Sequence, residues 1–297
     1  MSDRKERLDS KAVGLVLLCC TLWGLNQVAT KVALAEIPPL LQAGLRSLGA
    51  ALLLALWARL RGIVIWQRDG TAAAGIAAGL MFAVEFGCIF VGLQYTTASR
   101  MAVFLYLAPF VVALGMPFIA KSERLKPLQM AGLVGAFGGV VWAFAEGFAK
   151  PAAGPMQWVG DALCLGGALL WGATTLLVRA TALSTASPEK TLLWQLAVSG
   201  VALIGGAAAA GESWPAVVTV HSLGPLAFQT VVVTFASYLL WFWLLRHYPA
   251  TRISSFTLLT PVSGLAAGAL LLGEPIGPRL VVAVIAVAAG IWLVNRR

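Results

Sequence analysis

Glu85 is the residue of this sequence whose position most strongly indicates chemistry. It lies in the middle of an apolar stretch, residues 71–93, and it is the one acidic residue of twelve that lies deep inside such a stretch. A charged side chain at the centre of a lipid bilayer costs about 2.5–3.5 kcal/mol on insertion scales, so it usually faces a wet cavity or a partner. Three roles fit Glu85: a ligand for a substrate ammonium group, a proton carrier, or a structural hydrogen-bonding group.

Basic residues within or beside apolar stretches are the next candidates. Arg46 lies about two turns into the stretch 38–60. It could hold a substrate carboxylate, cap a neighbouring helix end or pair with Glu36, and we favour a structural role. Lys31 and Arg179 lie at the ends of their stretches, where we expect long side chains to extend to the membrane interface.

Two tryptophans lie midway along apolar stretches and share a local motif. Trp23 occurs in Leu22-Trp23-Gly24 and Trp171 in Leu170-Trp171-Gly172, an offset of 148 residues. Tryptophan usually prefers the membrane edge, where its N–H group is hydrated. Polar residues follow each motif, namely Asn26, Gln27, Thr174 and Thr175. The pattern fits an aromatic cavity for amphipathic metabolites, including aromatic amino acids, and it fits tight packing of the rings against glycine equally well.

The composition requires these residues to be positioned by membrane helices. The chain is 60% hydrophobic and 11% charged, with a mean hydropathy of +0.87. A soluble domain carries about a quarter charged residues, so lipid must be the main solvent. The net charge of +9 does not indicate nucleic-acid binding, because the basic residues are dispersed among loops.

We predict an all-α membrane protein with ten transmembrane helices. A helix needs about 20 apolar residues to cross the hydrocarbon core. The ten stretches are 12–34, 38–60, 71–93, 97–119, 126–146, 158–180, 190–210, 223–245, 251–272 and 279–295. With both termini in the cytoplasm, sixteen of the 21 Lys and Arg residues lie inside and four outside, as the positive-inside rule requires. Trp57, Trp66, Trp142, Trp158 and Trp214 are expected to anchor the membrane interfaces.

The sequence repeats itself at about 150 residues. Besides the two Trp-Gly motifs, Tyr95, Ser99-Arg100, Phe104 and Pro109 match Tyr248, Thr251-Arg252, Phe256 and Pro261 at offsets of 152 or 153. Residues 1–148 and 158–297 therefore form two repeats of five helices (5+5). Because five is odd, the second repeat is inverted, and the substrate site of such proteins lies between the halves. The offset places Tyr238 opposite Glu85 and Gln195 opposite Arg46. We predict one cavity lined by Trp23, Asn26, Glu85, Trp171, Thr174 and Tyr238.

The chain combines ten apolar stretches, two Trp-Gly pairs, Pro109 and Pro261, Arg46 and the Gly273-Glu274 pair. In these features the whole chain resembles the EamA family of the drug/metabolite transporter superfamily. Within it, the chain is similar to aromatic amino acid exporters of the YddG type. The resemblance implies a multi-pass protein of the inner (plasma) membrane that exports small molecules. Span five has Gly135 and Gly139 in small-xxx-small spacing, and span ten has almost no polar side chain, so we expect both to be packing or homodimer helices away from the substrate route.

We therefore expect a secondary transporter or facilitator that exports small metabolites, most plausibly amino acids, by alternating access. Export of other amphipathic compounds such as quaternary amines, or a channel, remains the alternative. An enzyme is not expected, because no second reactive group accompanies Glu85 at membrane depth. No ATP-binding loop is present, and no cofactor is expected. His221 and His247 are predicted in loops, and the four cysteines lie in apolar segments, so neither a metal site nor a disulfide is expected.

Overall fold

The computed structural model describes residues 5, 7–65, 67, 69–96, 98–143, 145, 154–215, 217–264 and 278–296. Within these ranges the regular elements are helices: α1 (Ser10–Ala33), α2 (Pro39–Leu60), α3 (Ala72–Tyr95), α4 (Ala98–Leu105), α5 (Ala108–Ile119), α6 (Pro127–Ala143), α7 (Gln157–Ala180), α8 (Pro188–Ala209), α9 (Val220–His247), α10 (Ala250–Phe256) and α11 (Pro278–Asn295). Helix α9 contains a π-helical segment, Phe228–Ser237.

Local sequence explains where the helices begin and end. The carboxylate of Asp9 accepts a hydrogen bond from the Ala12 N–H and so caps α1. Helices α2 and α8 each begin with a proline, whose missing N–H is tolerated in the first turn. Both end just before a glycine with positive φ, Gly62 and Gly211, which is the usual way for a helix to stop.

Six helices, α1, α2, α3, α7, α8 and α9, are long and apolar enough to cross a bilayer. Three shorter apolar helices, Val103–Ile119, Pro127–Trp142 and Val284–Asn295, accompany them in the described part of the chain. The first of these is not one continuous helix, because a turn at 106–107 separates α4 from α5. The span predicted at 251–272 extends beyond the described residues, so the total of ten spans stays a prediction. The Gly273-Glu274 pair and Trp66 also lie outside the described residues.

The main helix pairs join the first part of the chain to the second. Helix α3 packs on α7 and α8, α2 packs on α8, and α6 packs on α11. The last pair approaches through glycines: a Cβ atom on Gly132 would lie 2.9 Å from the Gly290 carbonyl oxygen. Gly135, which the spacing motif singled out, has nothing within 4 Å of an added Cβ, so it takes no part in this contact within the chain. A homodimer stays untested.

Other side-chain predictions have mixed outcomes. Trp57, Trp142, Trp158 and Trp214 are exposed, as interface anchors should be, and Lys31 is exposed. Arg179 instead is buried in an ion pair with Glu123, so the prediction that it extends to the interface is wrong. His221 and His247 lie in the first and last turns of α9 rather than in loops. All four cysteines are free.

Candidate functional site

A cavity of about 120 Å³ lies among α1, α3, α4, α7, α8 and α9. Its walls are mostly aromatic and aliphatic, with a small set of polar side chains. This composition is typical of a small-molecule site, where apolar walls provide contact area and a few polar groups fix orientation. The polar lining residues are Asn26, Gln27, Thr30, Glu85, Thr174, Thr175 and Gln195, together with the hydroxyl groups of Tyr106 and Tyr238.

Trp23 is the centre of an aromatic cluster in the cavity wall. Its ring centroid lies 6.1 Å from that of Trp171, 5.9 Å from Tyr238 and 5.2 Å from Trp241, each in an edge-to-face arrangement. The indole Nε1 donates a 2.8 Å hydrogen bond to the Ser237 hydroxyl, which satisfies its polar group at membrane depth. The arrangement holds the indole edge in place while its surface lines the cavity.

The glycine that follows each tryptophan allows a neighbouring chain to come close. A Cβ atom on Gly24 would lie 2.7 Å from the Gly264 backbone nitrogen, and one on Gly172 would collide with the Val111 side chain. These contacts show the close approach of other segments at each glycine, and the predicted packing of the tryptophan rings against glycine stays a prediction. The cavity interpretation describes the tryptophan of each motif, since Trp23 and Trp171 both line the cavity.

Glu85 and Arg46 are buried close to each other beside the cavity. Glu85 is 4% exposed, and its Oε2 has no hydrogen-bond partner among the described residues. Arg46 is fully buried with its guanidinium carbon 3.9 Å from the centroid of Phe86, a cation–π contact. The two charges interact electrostatically. The alternative pairing of Arg46 with Glu36 is wrong, because Glu36 accepts hydrogen bonds from the backbone N–H and the hydroxyl of Thr219.

All six residues of the predicted cavity lie on its wall: Trp23, Asn26, Glu85, Trp171, Thr174 and Tyr238. The structure thus brings them together, and their contact with a substrate stays a prediction. The Thr174 hydroxyl donates to the Leu170 carbonyl oxygen at 2.8 Å, so its oxygen can still accept a hydrogen bond.

Sequence reasoning missed several wall residues of α3. Phe82, Phe86 and Phe90 line the cavity beside Glu85. Their spacing of four residues places them on one face of the helix. That spacing around a buried acid was the available signal. Gln195 was noted only as the counterpart of Arg46, yet it lies on the cavity wall, and neither of its amide atoms has a hydrogen-bond partner in the part of the chain that the structure describes.

Ion pairs outside the cavity join helix ends and loops. The Arg179–Glu123 pair is buried, and Glu123 also accepts a 3.1 Å hydrogen bond from the Thr251 N–H. Lys190 pairs with Asp69 at 2.7 Å, and this hydrogen bond lowers the pKa of Asp69 to about 2.

At the start of the chain, hydrogen bonding from Lys5 lowers the pKa of Asp9 to about 2. The Tyr248 hydroxyl also donates to that carboxylate, at 3.0 Å. The start of α1 is thereby joined to the connection between α9 and α10. In the described part of the chain, no group of three or more His, Cys, Asp or Glu residues could hold a metal ion.

Comparison with known proteins agrees with this architecture. The chain is 28% identical to an uncharacterized transporter, YvbV, of Bacillus subtilis over 99% of this chain and 94% of the relative. It is 27% identical to a probable amino-acid metabolite efflux pump of Salmonella typhimurium, covering 94% and 93% of the two chains. A solved structure, 16% identical, matches the fold with a TM-score of 0.80 over 96% of each chain. The model of the EamA-like transporter family matches residues 10–145 and 158–296. The chain belongs to the EamA-like transporter family, whose members are multi-pass membrane proteins.

Proposed function

We propose that this transporter exports small metabolites, in particular amino acids including aromatic ones, by alternating access around the central cavity. The observation that carries the proposal is the cavity itself. An aromatic cluster centred on Trp23 borders unpaired polar atoms of Asn26, Glu85 and Gln195. Such a wall matches a molecule with a bulky apolar part and a compact polar part.

We further propose the inverted 5+5 arrangement, with repeats at 1–148 and 158–297 and both termini in the cytoplasm. Helices α1 and α7 both have 24 residues, and α2 and α8 both have 22. Trp23 and Trp171 occupy equivalent places on α1 and α7, which supports a cavity between the repeats. The basic-residue distribution supports the orientation, and the expected location is the inner membrane.

The substrate class also draws on the relatives, since two of them, from Salmonella typhimurium and Escherichia coli, are called probable amino-acid metabolite efflux pumps. A quaternary amine exporter is the second candidate, because aromatic walls also bind cations through their ring faces. A channel is the third, and it differs kinetically from a carrier. Only a carrier exchanges substrate across the membrane faster when substrate is present on both sides.

The test is counterflow in proteoliposomes with a panel of labelled amino acids and quaternary amines, with and without a pH gradient. We expect uptake of amphipathic amino acids that is accelerated by unlabelled substrate on the opposite side. Uptake confined to quaternary amines would refute the amino acid assignment. Uptake without acceleration would refute the carrier mechanism.

A matched pair of variants on α7 links transport to the cavity. Trp171→Ala removes a ring from the cavity wall, whereas Trp158→Ala removes an exposed ring of the same helix. We expect the first to reduce transport at least tenfold at equal protein yield, and the second to leave it within twofold. Tenfold corresponds to about 1.4 kcal/mol of lost interaction. Equal effects of the two substitutions would separate the cavity from transport.

A further inference from the structure

Arg46 has features that a purely structural arginine lacks. It is fully buried, and all three guanidinium nitrogens have no hydrogen-bond partner among the described residues. Buried arginine normally uses its five N–H donors on carboxylates or carbonyl groups. Here the guanidinium stacks on Phe86 and lies 5.1 Å from the Phe90 centroid, and both rings form part of the cavity wall. A positive charge whose donors make no well-formed hydrogen bond to the described residues therefore lies behind that wall.

Gln195 provides uncharged donors on the wall itself. It is 1% exposed, lines the cavity, and has neither its amide nitrogen nor its amide oxygen paired among the described residues. Tyr238 lies on the same wall, and its hydroxyl is near enough to Arg46 for a weak hydrogen bond and also interacts electrostatically with Glu85. Buried polar groups without partners cost free energy, and a ligand that pairs with them recovers that cost.

With Glu85 ionised, this residue and Arg46 would leave this part of the cavity without net charge. Glu85 is the acidic residue of the cavity wall, and Arg46 interacts electrostatically with it. A ligand that carries one positive and one negative group leaves this balance intact. A purely cationic or anionic ligand would leave a net charge inside a low-dielectric site, which is unfavourable.

We propose that Gln195 and Tyr238, with the Arg46 charge behind them, form a carboxylate subsite, while Glu85 receives the ammonium group of the same substrate. The substrates are then zwitterions with an apolar side chain against the aromatic cluster around Trp23. This inference rests on the proposed export of amino acids and specifies how they are distinguished from amines. Gln195 contacts the carboxylate, and Arg46 acts through its charge.

Three probes of nearly equal size test the subsite in proteoliposome counterflow. L-phenylalanine has both charges, L-phenylalaninamide lacks the carboxylate, and 3-phenylpropionate lacks the ammonium group. We expect the wild-type protein to transport labelled L-phenylalanine and to be inhibited by the unlabelled amino acid at concentrations at least tenfold lower than by either analogue. This measurement needs no variant, so it decides the question even where a substitution prevents folding.

Two variants identify the residues. Gln195→Met removes the amide donors and Arg46→Met removes the charge. In both variants methionine keeps an unbranched, elongated side chain. Val201→Met is the control, because Val201 lies on the same helix as Gln195 and is exposed. We expect both test variants to need at least tenfold more L-phenylalanine for half-maximal transport, with inhibition by L-phenylalaninamide changed less than threefold. The control should match the wild-type protein.

The outcomes separate the two proposals. If the wild-type protein transports L-phenylalanine but does not prefer it to its amide, the carboxylate subsite is refuted and the proposed export stands. The subsite is equally refuted if the test variants weaken the acid and the amide alike. If the wild-type protein transports none of the amino acids tested, the export proposal fails and the subsite fails with it.

Discussion

Replacing Glu85 with glutamine gives the sharpest test of how the cavity works. The substitution keeps the shape of the side chain and removes its ionisable group. Glu85 is nearly fully buried on α3, one of its oxygens has no partner in the described structure, and Arg46 is its charged neighbour. Transport reports whether the carboxylate is used, and stability is measured in parallel because the same substitution also affects folding.

The size of the effect follows from the site. A substrate ammonium at about 4 Å from a carboxylate gains at most about 4 kcal/mol at an effective dielectric constant of 20, before desolvation is subtracted. Hydrogen bonds to charged groups contribute about 1.5–3 kcal/mol net. Glu85→Gln should therefore reduce transport by about tenfold to a hundredfold. Two effects on stability oppose each other: the substitution removes a costly buried ionisable group, but it leaves the buried Arg46 without its countercharge.

The assay is counterflow by purified wild-type and Glu85→Gln protein at matched yield and several pH values, with thermal unfolding measured in parallel. Reduced transport with a flattened pH profile supports proton coupling through Glu85. Reduced transport with an unchanged profile supports binding of the substrate ammonium. Near-wild-type rates with the profile unchanged would refute both roles, and the aromatic and hydroxyl groups alone would then recognise the substrate.

Three further predictions concern packing, pH and topology. Gly172→Ala should lower the unfolding temperature, because the added methyl group would collide with Val111. Gly166→Ala on the same helix has open space and should be neutral or stabilising. Thermal unfolding of both variants checks this. Asp69→Asn should destabilise the protein at neutral pH, because only the ionised carboxylate favours the folded state beside Lys190. The difference in stability from the wild-type protein should shrink as the pH falls from about 4 through the folded pKa of about 2. Unfolding temperatures between pH 2 and 7 measure this trend, and a constant difference would contradict it. A reporter fused at either terminus should be active only in the cytoplasm, and periplasmic activity would overturn the proposed orientation.

The positions of most helices could be predicted because apolar length is a strong signal. The stretch predicted at 158–180 corresponds to α7 at Gln157–Ala180, and that at 38–60 corresponds to α2 at Pro39–Leu60. The turn between α4 and α5 was not predicted, although Pro109 lies in the first turn of α5. A hydropathy profile averages over many residues and so does not show a short break between two apolar helices. The local signal was the proline itself, which lacks the N–H group that a continuous helix would use.

Long-range pairing of charged residues could not be predicted from local patterns. Arg179 lies at the end of an apolar stretch, as an interface residue would. Its partner Glu123 is 56 residues away in the chain, so no local pattern indicates the pair. Arg46 could be assigned several partners on paper. The structure instead places it against Phe86, because the packing of α2 near α3 decides which side chain lies next to it. The repeat was more informative, since it related Trp23 to Trp171, which prove to be neighbours.

The unpaired atoms of the cavity also bear on how a carrier couples occupancy to movement. They belong to different helices: Asn26 lies on α1, Glu85 on α3 and Gln195 on α8. A ligand that meets all three connects helices from both proposed repeats. A ligand shifts a conformational equilibrium only by the difference in its affinity for the two states. Because one repeat alone offers an incomplete set of partners, substrate should favour the states in which the repeats approach each other over the cavity. The loaded carrier should therefore change access faster than the empty one, as accelerated exchange requires, and the polar groups that destabilise the empty cavity are the ones that make closure depend on the substrate.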